Sequence, residues 1–129
     1  MKLRFVRYSS IDAFEGAFVA RRREGNALIL DQLYCPLPGQ GRMTAIMRRY
    51  LHRLPETITT VWVQAHPYRC EDGLHWREVI RFARWLRHLG FRFQDRHEFF
   101  RRLRQIVSEW DGYVRYGAIQ DQAWMVLER

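Results

Sequence analysis

The chain has 129 residues, enough for one domain at roughly 100–200 residues each, and a single domain spanning 1–129 is expected. With 47% apolar and 28% charged residues it does not have a disordered composition, and no apolar run approaches the roughly 20 residues of a membrane-spanning helix. The net charge of +8 comes from 22 basic and 14 acidic residues, and Lys2 is the only lysine. Such a balance favours anionic partners (nucleic acid, an acidic protein, a phosphate-bearing cofactor) and fits an arginine-rich solvated surface equally well.

Residues 2–8 interleave Leu3 and Phe5 with Lys2, Arg4 and Arg7, the pattern of a half-buried strand. They also lack a signal-peptide apolar core, so a cytoplasmic protein is expected. Ser9, Ser10 and Asp12 suit the cap of a short helical turn over 11–14. Residues 16–23 and 27–35 are strand-like runs on either side of Glu24-Gly25-Asn26, which predicts a hairpin. The second run opens almost continuously apolar, as a strand covered on both faces would.

Residues 36–42, Pro-Leu-Pro-Gly-Gln-Gly-Arg, break the pattern sharply. Beyond them Met43, Ile46, Met47, Tyr50, Leu51 and Leu54 recur at helical spacing, and Pro55 closes the run. A β-branched and aromatic stretch at 59–65 predicts a strand, and Pro67 and Gly73 mark 66–73 as a loop. Trp76, Val79, Ile80, Ala83 and Leu86 predict a helix over 74–89 that stops at Gly90. A short strand at 91–94, a third helix over 96–110, and closing strands at 113–119 and 122–128 complete the order. The fold class is α/β (α+β).

The most specific unit is strand, glycine-bearing loop, amphipathic helix, over 28–35, 37–42 and 43–54. Such a turn exposes backbone N–H groups and the positive end of the helix dipole, where an anion is stabilised. Gly39 and Gly41 permit close approach of the backbone, and Arg42 adds a charge. Neither a Walker loop nor a complete dinucleotide fingerprint is present. A tight strand–helix turn without a ligand is the plainer alternative.

At these residues the sequence resembles the GNAT superfamily of N-acetyltransferases. There a loop of the form Arg/Gln-x-x-Gly-x-Gly/Ala links a strand to a helix whose N-terminus holds the coenzyme A pyrophosphate. A later helix ends in Leu-Gly-Phe and leads into the next strand, as Leu89-Gly90-Phe91 would here. The resemblance covers about residues 27–93, with the strand at 59–65 between the two helices. It implies a GNAT-like, mostly antiparallel central sheet with helices on both faces. It also implies acetyl-CoA as co-substrate, held around Leu33, Tyr34, Cys35, Pro38, Gly39, Gln40, Gly41, Arg42, Met43 and Thr44.

The implied chemistry is acetyl transfer to a primary amine, with the oxyanion held by a backbone N–H near Leu33–Cys35. Asp31 and His66 are the candidate bases. Pro38 and Met43 depart from the loop pattern, and Pro38 has no N–H to donate. Leu86 stands where the family often has a tyrosine acid, and Leu86→Tyr is expected to leave activity unchanged or to raise it.

Tyr34, Tyr68 and Cys70 are alternative acids, each equally readable as packing or loop. Cys35 and Cys70 are too few for a disulfide framework. His75, His88 and His97 lack ligand spacing, so no metal site is expected. Arg77, Arg81 and Arg84 form one stripe of a helix, with Arg87, Arg101, Arg102 and Arg104 nearby. They support the alternative reading, a non-enzymatic basic module that binds nucleic acid or an acidic protein.

Overall fold

The hairpin expected at Glu24-Gly25-Asn26 organises the first part of the structure, a computed structural model that describes residues 6–7, 11–14, 17–34, 41–66, 73–109 and 111–129. Strands β3 (Ala17–Glu24) and β4 (Ala27–Tyr34) pair antiparallel across it, and of the two turn residues only Gly25 has positive φ (59°). β2 (Ile11–Phe14) pairs antiparallel with β3, and β1 (Val6–Arg7) with β2. Leu28, Ile29 and Leu30 are all buried, so β4 is covered on both faces as its composition predicts.

The fold is mixed α and β with mostly antiparallel pairing, and four helices lie among the described residues. It divides into two compact units, Met1–Val61 with Arg129, and Trp62–Glu128. In the first unit helix α1 (Arg42–His52) buries Ile46, Met47, Tyr50 and Leu51, the expected face, and ends two residues before the chain reaches Leu54-Pro55. Arg129 closes this unit by donating to three carbonyls, Pro55 O (2.8 Å), Ile58 O (2.7 Å) and Leu54 O (3.1 Å).

β5 (Thr60–Gln64) begins in the first unit and runs into the second. In the second unit β9 (Trp124–Glu128) lies between β5 and β7 (Arg92–Phe93), pairing antiparallel with β7. A separate two-stranded sheet joins β6 (Leu74–His75) to β8 (Tyr113–Val114). There the backbones run so close that a Cβ on Gly73 would stand 2.6 Å from Val114 O.

Helix α2 (Trp76–His88) starts where His75 Nδ1 accepts the Arg77 N–H (3.2 Å) and buries Val79, Ala83 and Leu86. It ends in a Schellman motif: Gly90 N–H bonds Arg87 O and Phe91 N–H bonds Leu86 O, both at 3.0 Å, with Gly90 at φ 105°. Leu86 and Phe91, the apolar pair such a motif brings together, are both buried. Helix α3 (Arg96–Glu109) is capped by Asp95, whose Oδ1 accepts the Glu98 N–H (3.1 Å). Its buried face is Phe99, Leu103 and Ile106.

Several sequence expectations are corrected. Residues 11–14 form a strand, not a capped helical turn, because the whole segment pairs with β3 and Asp12 turns inward to side-chain partners. The helix over 74–89 begins only at Trp76, since Leu74 and His75 are drawn into pairing with β8. The closing strand over 113–119 is extended only at Tyr113–Val114, and Tyr116–Ile119 is a short helix, α4, whose Ala118 O accepts from Arg102 Nε (3.1 Å). Of the strand over 2–8 only Val6–Arg7 is described. Most of the 66–73 loop, with Tyr68 and Cys70, and the Trp110 end of α3 also lie outside the described residues.

Leu86 is fully buried (0% exposed), which overturns the expectation that a hydroxyl placed there would reach a coenzyme. A tyrosine would overfill the α2 face and bury its hydroxyl. Leu86→Tyr should therefore lower the unfolding free energy by about 1–3 kcal/mol. The urea midpoint measures this, and an unchanged midpoint would contradict the packing described for α2.

Candidate coenzyme site and basic faces

The candidate site is built where β4 gives way to α1. Along β4 the register with β3 shifts: Arg21 faces Leu30 and Ala20 faces Gln32, which leaves Asp31 as the extra residue of a β-bulge. A bulge bends its strand and re-aims the residues beyond it. It also puts Leu33 on the same face as Leu28 and Leu30, which strict alternation would split. That broken parity is the signal in the sequence, and the sequence reading missed it.

After Tyr34 the chain passes through Cys35, Pro38, Gly39 and Gln40, all outside the described residues. It re-emerges at Gly41, the N-cap of α1, with φ 67° and no side-chain cap. The first intrahelical bond is Ala45 N–H to Gly41 O (3.2 Å), so the N–H groups of Arg42, Met43 and Thr44 precede the helical ladder. No acidic residue stands in the first turn to offset the positive end of the dipole. Arg42, Met43 and Thr44 are half-buried, Gly41 is exposed, and Leu33 is buried. This end of α1 is suited to an anion with closely spaced oxygens.

The two candidate bases fall in different units. Asp31, partly exposed at the bulge, receives Arg22 Nε on Oδ1 at 3.2 Å, and Arg22 also binds Glu24. His66 is buried (2% exposed), with Nε2 2.9 Å from Val114 O. A carbonyl only accepts, so Nε2 is the nitrogen that donates in this contact.

The expected arginine stripe is exposed along α2, and part of it is already engaged. Arg81 pairs with Glu78 (3.2 Å) and Arg77 lies over the Trp76 ring (5.4 Å). On α3, Arg101 clamps Glu98 through two bonds (2.9 and 2.8 Å), which hold the Glu98 carboxyl below its ordinary value. Arg84, Arg87 and Arg104 are exposed and have no partner among the described residues. Also among the described residues, no group of three or more His, Cys, Asp and Glu could hold a metal ion, and no helix is long and apolar enough to cross a membrane.

The sequence reading also missed Asp12, which it treated as a cap. Asp12 is buried, and its Oδ2 accepts from both Arg21 Nε (2.7 Å) and the Tyr50 hydroxyl (2.6 Å). An acidic residue inside the short apolar run Ile11-Asp12-Ala13-Phe14 was the available sign.

Compared with protein-family models, with curated proteins and with solved structures, the chain matches none.

The α2 stripe can be tested by salt dependence. Each phosphate neutralised on duplex DNA contributes about −0.9 to the slope of log affinity against log salt. Replacing Arg77, Arg81 and Arg84 by Gln should lower that slope by about 2 rather than 3, since Arg81 is shared with Glu78. A gel shift of the parent protein at about 150 mM salt, where the Debye length is roughly 8 Å, decides whether the stripe binds at all. No shift there assigns these arginines to a solvated face.

Proposed function

We propose that the chain is an acyl-CoA-dependent N-acetyltransferase of the GNAT type, moving acetyl from acetyl-CoA to a primary amine. The observation that carries this reading is the order of elements around two left-handed glycines. Bulged β4 leads into α1 behind Gly41 (φ 67°), and β5 follows. Then α2 ends at Gly90 (φ 105°) in Leu89-Gly90-Phe91 and passes into β7. The start of α1, where Gly41 offers no side-chain cap and no acidic residue stands in the first turn, supports a pyrophosphate cradle at Gly41, Arg42, Met43 and Thr44, continued by Pro38, Gly39 and Gln40. A Cβ on Gly41 would meet nothing within 4 Å among the described residues.

The reaction needs the amine nitrogen to attack the thioester carbonyl. A C–N bond forms, the C–S bond breaks, the amine gives up a proton and the thiolate takes one. Most of the rate comes from positioning the two reactants, with the developing oxyanion bonded by a backbone N–H near Leu33–Cys35. Asp31 and His66 are the candidate proton acceptors. Since Leu86 belongs to the core, α2 supplies no acid at that position, and the thiolate is protonated by Tyr34, Tyr68, Cys70 or solvent. The acceptor is a small molecule or a protein amine.

Calorimetry with acetyl-CoA tests the reading. Gly41→Asp puts a carboxylate beside the pyrophosphate site; its charge favours the helix N-terminus, whereas a side chain at φ 67° adds strain, so circular dichroism first establishes that the variant folds. Affinity should fall at least tenfold, about 1.4 kcal/mol. Equal affinity in the folded variant, or no binding by the parent protein, would overturn the assignment.

A further inference from the structure

The ribbon of β6 and β8 in the second unit carries a cluster of rings that the coenzyme reading does not use. His75 and Tyr113 are direct partners across the ribbon, so both side chains stand on one face of it, and Leu74 and Val114 stand on the other. The rings of His75 and Tyr113 meet edge to face, with centroids 5.6 Å apart at 90°. Trp76 lies beside His75 (5.8 Å, 33°), and Arg77 continues the row with its guanidinium 5.4 Å from the Trp76 ring.

The inner rings are firmly held. His75 Nδ1 accepts the Arg77 N–H (3.2 Å), and the Trp76 N–H bonds Gly112 O (2.8 Å). A Cβ on Gly112 would stand 3.4 Å from both His75 Nε2 and Trp76 Cδ1, so the turn before β8 runs directly against these two rings. Tyr113 differs from them. It is 50% exposed, and its hydroxyl has no partner among the described residues. The contact with His75 uses at most one face of its ring, and no other ring meets it among the described residues. From Arg77 an exposed row continues along α2 through Arg81 and Arg84, at i+4 and i+7, about 10 Å along the helix. The Arg81–Glu78 pair is exposed on both sides, so it holds that guanidinium only weakly.

We propose that this surface binds an unpaired polynucleotide strand, with a base stacked on Tyr113 and phosphates bonded by Arg77, Arg81 and Arg84. Ring and arginines select this occupant only together. The arginines alone would accept any polyanion. A duplex offers phosphates but keeps its bases paired inside, out of reach of a ring on the protein surface. An acidic peptide pairs with guanidinium groups but brings no base to the ring. A single strand presents phosphate and bare base at every step, and an aromatic face beside a basic track holds such strands without regard to sequence. Arg77 serves both parts, since a guanidinium stacked on Trp76 keeps its N–H edge for phosphate. None of these residues belongs to the coenzyme cradle, and the proposal does not rest on that reading.

The test is fluorescence anisotropy of the full chain with an oligothymidylate of about ten nucleotides at about 150 mM salt. Three probes of matched length accompany it: the same sugar-phosphate backbone without bases, a duplex, and oligoglutamate. The oligothymidylate should bind saturably, and each of the others at least tenfold more weakly. Tyr113→Ala should weaken the oligothymidylate at least tenfold and leave the base-free strand unchanged, a difference that loss of the fold would not produce. If that variant does not fold, the base-free strand on the parent protein still decides. Replacing Arg77, Arg81 and Arg84 by Gln should lower the salt slope by up to about 2, at about 0.7 for each phosphate of a single strand. No saturable binding of the oligothymidylate, equal binding of any of the other probes, an unchanged affinity in folded Tyr113→Ala, or an unchanged salt slope would each overturn the proposal.

Discussion

One buried carboxylate oxygen holds the first unit together. Asp12 Oδ2 receives a guanidinium from β3 and a hydroxyl from α1, so a four-residue strand is tied to its neighbour and to the helix covering it. Strands that short do not persist on pairing alone. The bond from Asp12 holds the Arg21 guanidinium above its ordinary value, against the opposing effect of burial. Removing Arg21 would leave the Asp12 charge in the interior without its counter-ion, which is where such pairs become expensive. Tyr50 is fixed by the same oxygen, and with it the rotation of α1 about its axis. The direction in which the start of α1 presents its N–H groups therefore depends on a contact at its far end.

The bulge at Asp31 is the second constraint on that site. Without an extra residue, burying Leu28 and Leu30 would turn Leu33 to the opposite face. With it, Leu33 shares the face of Leu28 and Leu30 and all three are buried there. Gly41 then turns the chain into the helix through a left-handed conformation that most residues avoid. Strand, bulge and glycine together fix where the first turn of α1 begins. None of this requires a ligand, so anion binding there is a question for calorimetry and not for packing.

What the sequence made legible follows from which forces are local. The α1 face, the hairpin at Gly25 and the stop at Gly90 were readable because helical spacing and glycine chemistry act within a few residues. Residues 11–14 and 113–119 were misread for the opposite reason. Their conformations depend on partners outside the segment: β3 and Tyr50 for the first, the pairing of β8 with β6 and the Arg102 bond to Ala118 O for the second. Asp12 looked like a cap because a short acidic residue before an apolar run usually is one. Its real partners lie 9 and 38 positions away, beyond any local pattern. Of the candidate site, the helix start was legible, and the bulge was written in the parity of Leu28, Leu30 and Leu33.

The almost complete replacement of lysine by arginine changes meaning once the contacts are known. Arg129 forks onto three backbone carbonyls, Arg102 reaches a fourth at Ala118, Arg101 clamps Glu98 with two parallel bonds, and Arg21 serves the buried Asp12. Each role uses the planar, multi-donor head of arginine, and a lysine ammonium would supply a single point of contact with a larger desolvation cost. Part of the +8 charge is therefore architectural, and formal charge overstates the surface offered to an anionic partner. The exposed remainder, which includes Arg84, Arg87 and Arg104, sets the upper limit on electrostatic attraction by the second unit. At physiological ionic strength charges separated by more than about 8 Å are largely screened from one another. A polyanion would have to touch these side chains individually, and the net charge of the chain would not hold it.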